Sequence, residues 1–219
     1  MSRTSIAEDV VIKIQKLILS GRWQPGDRLN DLELAEEFES SRLSVREALF
    51  KLTETDIIEK EHWKGYFIKE ITEDTVSNII EIRIALESIA IRNFIKVATD
   101  ADFWDMAESI NKSEEMLKEH DWLNYLTTDF TFHEIIYSRQ HNKHITTILN
   151  NYMLTIHYIR YISMGRDDSF IEAGKNSILY HTSILDAIKN RDEEEAVKRL
   201  VTHLGEHKKE AEIQLLKHY

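Results

Sequence analysis

The chain has 219 residues, 42% apolar and 31% charged, with a formal net charge of −11. Ordinary apolar content excludes wholesale disorder, no apolar run approaches the ~20 residues of a bilayer span, and zero cysteines exclude disulfides, thiolate metal sites and cysteine nucleophiles. One proline and six glycines favour a mainly helical protein; the N-terminus MSRTSIAEDV has no signal-peptide core, so the expected location is the cytoplasm.

Ile6, Val10, Ile14, Leu17 and Ile18 recur at helical spacing and predict a first helix over 6–20. Gly21 ends it, and Pro25-Gly26 makes a turn. Asn30 with Glu33 forms a capping box for a second helix through Leu34, Ala35 and Phe38. Ser44 with Glu47 caps a third, buried through Val45, Ala48, Leu49 and Leu52, with Arg42 in the entering turn and Arg46 on the first helical turn. Ile57-Ile58 and Tyr66-Phe67-Ile68 then read as two strands, the only strand pair in the chain, joined by His62-Trp63-Lys64-Gly65. Helix, turn, helix and β-ribbon in that order outline a winged helix-turn-helix, a DNA reader.

From residue 73 onward the pattern is helical, in segments near 74–97, 101–119, 121–138, 142–164, 174–190 and 192–217. The fourth segment is apolar over a broad arc and is expected at the centre of a bundle. Gly165–Ser169 reads as a loop. The predicted architecture is mainly α: a winged helix-turn-helix over 1–72 and an all-α six-helix bundle over 73–219.

Charge does not favour DNA by itself. Residues 1–72 hold 11 Lys+Arg against 14 Asp+Glu, and residues 73–219 hold 17 against 25. Neither half is basic, so binding must rest on a local face, doubled in a dimer. Arg42 and Arg46 lie one helical turn apart and carry the guanidinium fork that reads guanine O6 and N7. The plainer alternative from spacing alone makes them surface residues paired with Glu36, Glu37 or Glu47.

Asp129 and His133 share one face of a predicted helix. An Asp/His pair at this spacing also arises by chance, and His203/His207 and His141/His144 are rival pairs, read as solvated surface. Arg83 and Glu87 have the spacing of a helix-surface ion pair.

The N-terminal region resembles the GntR family of bacterial transcription regulators, through Gly21, Pro25-Gly26, Leu29, Leu34-Ala35, Ser41-Arg42, Val45-Arg46-Glu47-Ala48-Leu49, Leu52 and Lys64-Gly65-Tyr66-Phe67. The C-terminal region resembles the FCD ligand-binding domain of the FadR subfamily, in its shorter VanR-like branch. The matches are Glu81, Arg83, Glu87, Asp129, Phe132, His133, Asn142, His181 and His203. Departures are Glu39-Ser40 where a glycine is usual, Ser44 for proline, Asp56 for glycine, and Leu32 where some members place an arginine.

The resemblance implies DNA contacts from Ser41, Arg42, Ser44 and Arg46, with Lys64 and Gly65 at the wing. It implies a divalent ion (Zn²⁺, or Ni²⁺ or Mn²⁺) on Asp129, His133, His181 and His203, which holds a small organic acid paired with Arg83. The expected protein is a homodimeric regulator, a repressor on a palindromic operator, and not an enzyme. Alternatives are a metal-responsive regulator without organic effector, a structural ion and, with no placed general base, a metalloenzyme.

Overall fold

A computed structural model describes residues 6–55, 57–163 and 168–217. Contacts divide the chain into two compact units. One comprises the residues up to Ile71 together with Asn151–Tyr158, the other Thr72–Asn150 with Ile159 onward.

In the first unit, α1 (Ile6–Leu19) buries Val10, Ile14 and Ile18. Its main partner is α3 (Arg42–Leu52), which buries Val45, Ala48, Leu49 and Leu52. Between them lies α2 (Asp31–Glu37). Asn30 caps α2 by accepting from the Leu32 N–H at 3.1 Å while its amide donates to Glu33. Leu32 is the second helical residue, not the third, and Glu33 does not reach back to the Asn30 backbone N–H, so neither bond of the expected capping box is formed.

The start of α3 also differs from expectation. Ser41, not Ser44, is the cap: its Oγ accepts from the Ser44 N–H at 3.0 Å. Arg42 is therefore the first helical residue, and Arg46 falls beyond the first turn. Glu39, in the turn before it, has φ 50°. This left-handed backbone is where a glycine fits without strain. Glu39→Gly is expected to stabilise the unit by about 1 kcal/mol, read as a rise in denaturant midpoint; a lower midpoint would contradict it.

The sheet has three antiparallel strands in the order β1-β3-β2. β2 (Ile58–Glu61) and β3 (Gly65–Ile68) are the expected ribbon, with Ile58 opposite Ile68 and Glu61 opposite Gly65. β1 (Arg28–Leu29) is an addition, pairing Arg28 with Phe67 and Leu29 with Tyr66. Gly65 has φ 113°. Asp56, one of the departures noted above, lies outside the described residues.

The second unit contains α4 (Glu73–Ile95), α5 (Asp100–Lys118), α6 (Trp122–Arg139), α8 (Asp168–Lys189) and α9 (Glu193–Lys217), with both ends of α7 (Lys143–Ser163). Thr72, Thr99 and Asp121 cap α4, α5 and α6. The closest packing joins α5 with α6, α4 with α9, and α8 with α5 and α9. Gly174 permits the α5–α8 approach, since a Cβ there would stand 2.7 Å from Leu117 Cδ1. Arg191 donates to the carbonyls of Ile95 and Ala98, occupying acceptors left open at the end of α4.

Two expectations about this unit change. The helix expected at the bundle centre, α7, has no comparably close partner among the described residues, and its middle belongs to the first unit. There Tyr158 OH donates to Trp23 O at 3.1 Å and Thr155 to Thr55 O. Of the expected loop, residues 165–167 lie outside the described residues, and α8 already opens at Asp168.

No described helix is long and apolar enough to cross a membrane.

Candidate functional site

The first unit gathers four of the six expected DNA-contacting residues, Arg42, Arg46, Lys64 and Gly65 but not Ser41 or Ser44, around one groove of about 380 Å³. Its lining includes Arg42 and Arg46 from α3, Arg28 from β1, and Lys60, Lys64 and Gly65 from the wing. The two α3 arginines are more than half exposed, and their acidic partner is neither Glu36, Glu37 nor Glu47. Asp31 holds Arg42 in a two-pronged pair at 3.0 Å on each prong, with Arg46 Nε 3.7 Å away. Lys64 pairs with Glu61 at 2.6 Å. Ser41 and Ser44 share a hydroxyl–hydroxyl hydrogen bond of 2.8 Å at the helix start. Asp31 and Arg28 were not singled out from the sequence. The signal for Asp31 was an acid on the first turn of α2.

In the second unit, His133 (α6), His181 (α8) and His203 (α9) project into the same point. Their Nε2 atoms lie 3.1 Å (His181–His133), 3.1 Å (His181–His203) and 3.3 Å (His203–His133) apart. All three side chains are buried. They are the one group among the described residues whose donor atoms cluster as metal ligands do.

The surrounding groups fix the protonation of this triangle. Burial alone would push the Glu87 carboxyl up, but Arg83 and His133 outweigh it and hold it at about 2. Glu87 is therefore a carboxylate with no proton to give. Its Oε1 accepts from Arg83 Nε at 2.6 Å and its Oε2 faces His133 Nδ1 at 2.8 Å. A neutral His133 ring that donates its Nδ1–H to this carboxylate would turn its Nε2 lone pair to the centre. Burial lowers His181 to about 3, and it pushes His203 well below the usual imidazole value. Both are neutral at physiological pH, the form that binds a metal. Phe132 stacks on His181, with ring centroids 4.2 Å apart and planes 10° apart.

The residues fit a divalent ion in kind and in spacing. With Zn–N bonds of about 2.0–2.1 Å, nitrogens on a tetrahedron stand about 3.3 Å apart, close to the edges of this triangle. Where the three Nε2 atoms carry lone pairs, they repel each other until a cation or proton lies between them.

Asp129 departs from the expected four-ligand set. Its carboxylate is not on the triangle. Oδ1 accepts from Ser177 at 2.6 Å and Tyr125 at 3.2 Å, and lies 3.9 Å from His181 Nδ1, on the far side of that ring. Oδ2 is buried with no hydrogen-bond partner. Burial raises the Asp129 carboxyl, yet His181, Arg160 and His133 outweigh it and hold it below its usual value.

Arg83 is likewise not a surface residue: it is 2% exposed, and its Nη1 is buried without a partner. The pairing with Glu87 is internal. His207 also overturns its reading as solvated surface. It is buried beside His203 with ring centroids 4.1 Å apart, and neither ring nitrogen has a hydrogen-bond partner. His141 is exposed, as read.

A helix-turn-helix with a β-wing, joined to an all-α unit, defines a winged-helix DNA-binding regulator with a second, helical domain. Residues 6–68 match the bacterial regulatory proteins of the gntR family and residues 78–206 match the FCD domain. The chain belongs to this GntR/FCD family of DNA-binding transcription regulators, which are not enzymes. Among its relatives is the HTH-type transcriptional regulator YdhC of Bacillus subtilis, 25% identical over 88% of this chain and 85% of that one. Another is the gluconate operon transcriptional repressor of Bacillus licheniformis, 26% identical over 91% and 82%. The solved structure of E. coli McbR/YncC superposes with a TM-score of 0.82 at 20% identity, covering 99% of this chain and 100% of that one, a likeness of fold.

Proposed function

We propose that the protein is a homodimeric repressor whose hold on a palindromic operator is set by a small carboxylate, bound through a divalent ion on His133, His181 and His203. The observation that carries this reading is the 3.1–3.3 Å triangle of buried Nε2 atoms. A bound ion supplies a Lewis-acidic centre to which a carboxylate oxygen binds. Zn²⁺ suits three imidazoles best, and Ni²⁺ or Mn²⁺ would also be held. Asp129 Oδ2, buried without a partner, belongs to a carboxylate that stands behind His181 and would orient that ring. Arg83 Nη1, equally unpartnered, offers a donor to an acid group once the acid enters. Glu87 keeps His133 in the ligating tautomer throughout.

On the DNA side, Arg42 and Arg46 would exchange Asp31 for guanine edges, with Ser41, Ser44, Lys64 and Gly65 at the backbone. Two half-sites demand a fixed spacing between recognition helices, so an acid that favours another spacing lowers operator affinity. A relative that is a named operon repressor supports the sign. Arg46→Ala is expected to weaken operator binding by about 1–3 kcal/mol, measured by fluorescence anisotropy; unchanged affinity would refute the contact.

Full burial of the triangle favours a second reading, an ion that only braces α6, α8 and α9. Thermal-shift curves with acetate, succinate and citrate, on zinc-loaded and chelator-stripped protein, separate the two. The effector reading predicts a rise in melting temperature for at least one acid on loaded protein alone. No rise with any acid, or equal rises on stripped protein, would leave the bracing role.

A further inference from the structure

The DNA-binding activity of the family does not account for Trp63. This residue stands at the tip of the wing, between β2 and β3, and is 94% exposed. Its φ is 64°, a left-handed backbone that bulky residues adopt only at a cost. An indole held fully in water by a strained turn serves neither the core nor the hairpin: a glycine or asparagine would make the same turn more cheaply. His62 stacks on it, with ring centroids 4.7 Å apart and planes 23° apart, so the two rings form a stacked aromatic blade.

The charges around the blade point to its occupant. The adjoining groove carries Arg28, Arg42, Arg46, Lys60 and Lys64 against Asp31 and Glu61, a cationic lining on a chain whose net charge is −11. A polyanion is the complementary partner. Arg28 lies directly beneath the wing, since a Cβ on Gly65 would stand 3.5 Å from its Nε. Cations that hold phosphates thus surround an aromatic plate, the pairing that grips nucleic-acid bases by stacking.

We propose that Trp63 is a wedge that enters the minor groove beside each half-site and stacks into a partly opened base step. Such a wedge adds sequence preference without hydrogen bonds to base edges. It favours the steps that unstack at least cost, TA and CA/TG, and it kinks the duplex toward the major groove. Lys64 and Arg28 hold the flanking phosphates while the indole is in place.

The test uses the full-length protein and fluorescein-labelled duplexes that the wild type enriches from a random-sequence library. The enriched duplexes should carry a TA or CA/TG step facing the wing in each half-site. Trp63→Ala should bind them at least about tenfold more weakly, with the slope of log affinity against log salt unchanged. Trp63→Phe should retain most of the binding. Lys64→Ala should instead flatten that slope by about one unit. The proposal is overturned if Trp63→Ala binds within about twofold of wild type, or if its loss appears as a flatter slope. It also falls if the enriched duplexes lack the flexible step, if no duplex is enriched, or if Trp63→Ala changes the sedimenting mass without DNA, which would make the indole a protein–protein contact.

Discussion

Arg83→Met is expected to destabilise the helical unit by about 3–5 kcal/mol. Glu87 is 4% exposed, and its charge is stabilised by Arg83 at 2.6 Å and by the His133 ring at 2.8 Å. Removing the guanidinium strands a buried carboxylate with one remaining partner. The methylene stem is largely conserved by methionine, so the loss reports on charge rather than on packing. Arg83→Met with Glu87→Leu should recover part of the loss, because no buried charge remains. It should not recover all of it, since the Nδ1–H of His133 is then left without an acceptor, at about 1–3 kcal/mol. Urea denaturation of the single and double variants measures both quantities. A denaturant midpoint for Arg83→Met equal to that of wild type would show that the pair within α4 does not stabilise the unit.

Stripping the ion is expected to act on the same scale. A ligand at about a thousand times its dissociation constant stabilises by about 4 kcal/mol, and in a domain of this size each kcal/mol moves the melting temperature by about 2–4 °C. Chelation should therefore lower the melting temperature by about 8–16 °C, and re-addition of zinc should restore it. His203→Ala should remove the response to chelator, because two imidazoles no longer close the triangle. His141→Ala, on an exposed side chain, should leave the response intact. A chelator effect that survives His203→Ala would place the ion elsewhere.

Much of this arrangement was legible in the sequence because helical periodicity is a strong signal. The six C-terminal helices and the wing follow from apolar spacing and from the Gly65 turn. The three histidines were matched across α6, α8 and α9, and those helices do bring them together. What the sequence could not resolve was finer. Ser41 and Ser44 are both plausible caps three residues apart, and only the hydrogen bond from the Ser44 N–H to Ser41 Oγ decides between them. β1 has two residues, too few for any periodic signal.

Asp129 and His133 share a helical face, but spacing fixes a direction and not a rotamer. Ser177 and Tyr125 draw the carboxylate to the other side of His181. His207 was misread although the pattern held the answer. Ala196, Leu200, His203, Leu204 and Ala211 are buried on α9, and His207 continues that stripe at the same period. The Glu39 departure was visible as a missing glycine, and the backbone there adopts the glycine-like conformation all the same.

The account rests on one coordination site, and anomalous diffraction from zinc-loaded crystals addresses it directly. The expected result is a single zinc peak per chain, about 2.0–2.1 Å from the Nε2 atoms of His133, His181 and His203. A density-free triangle beside fully loaded surface sites, or zinc bound through other histidines, would contradict it.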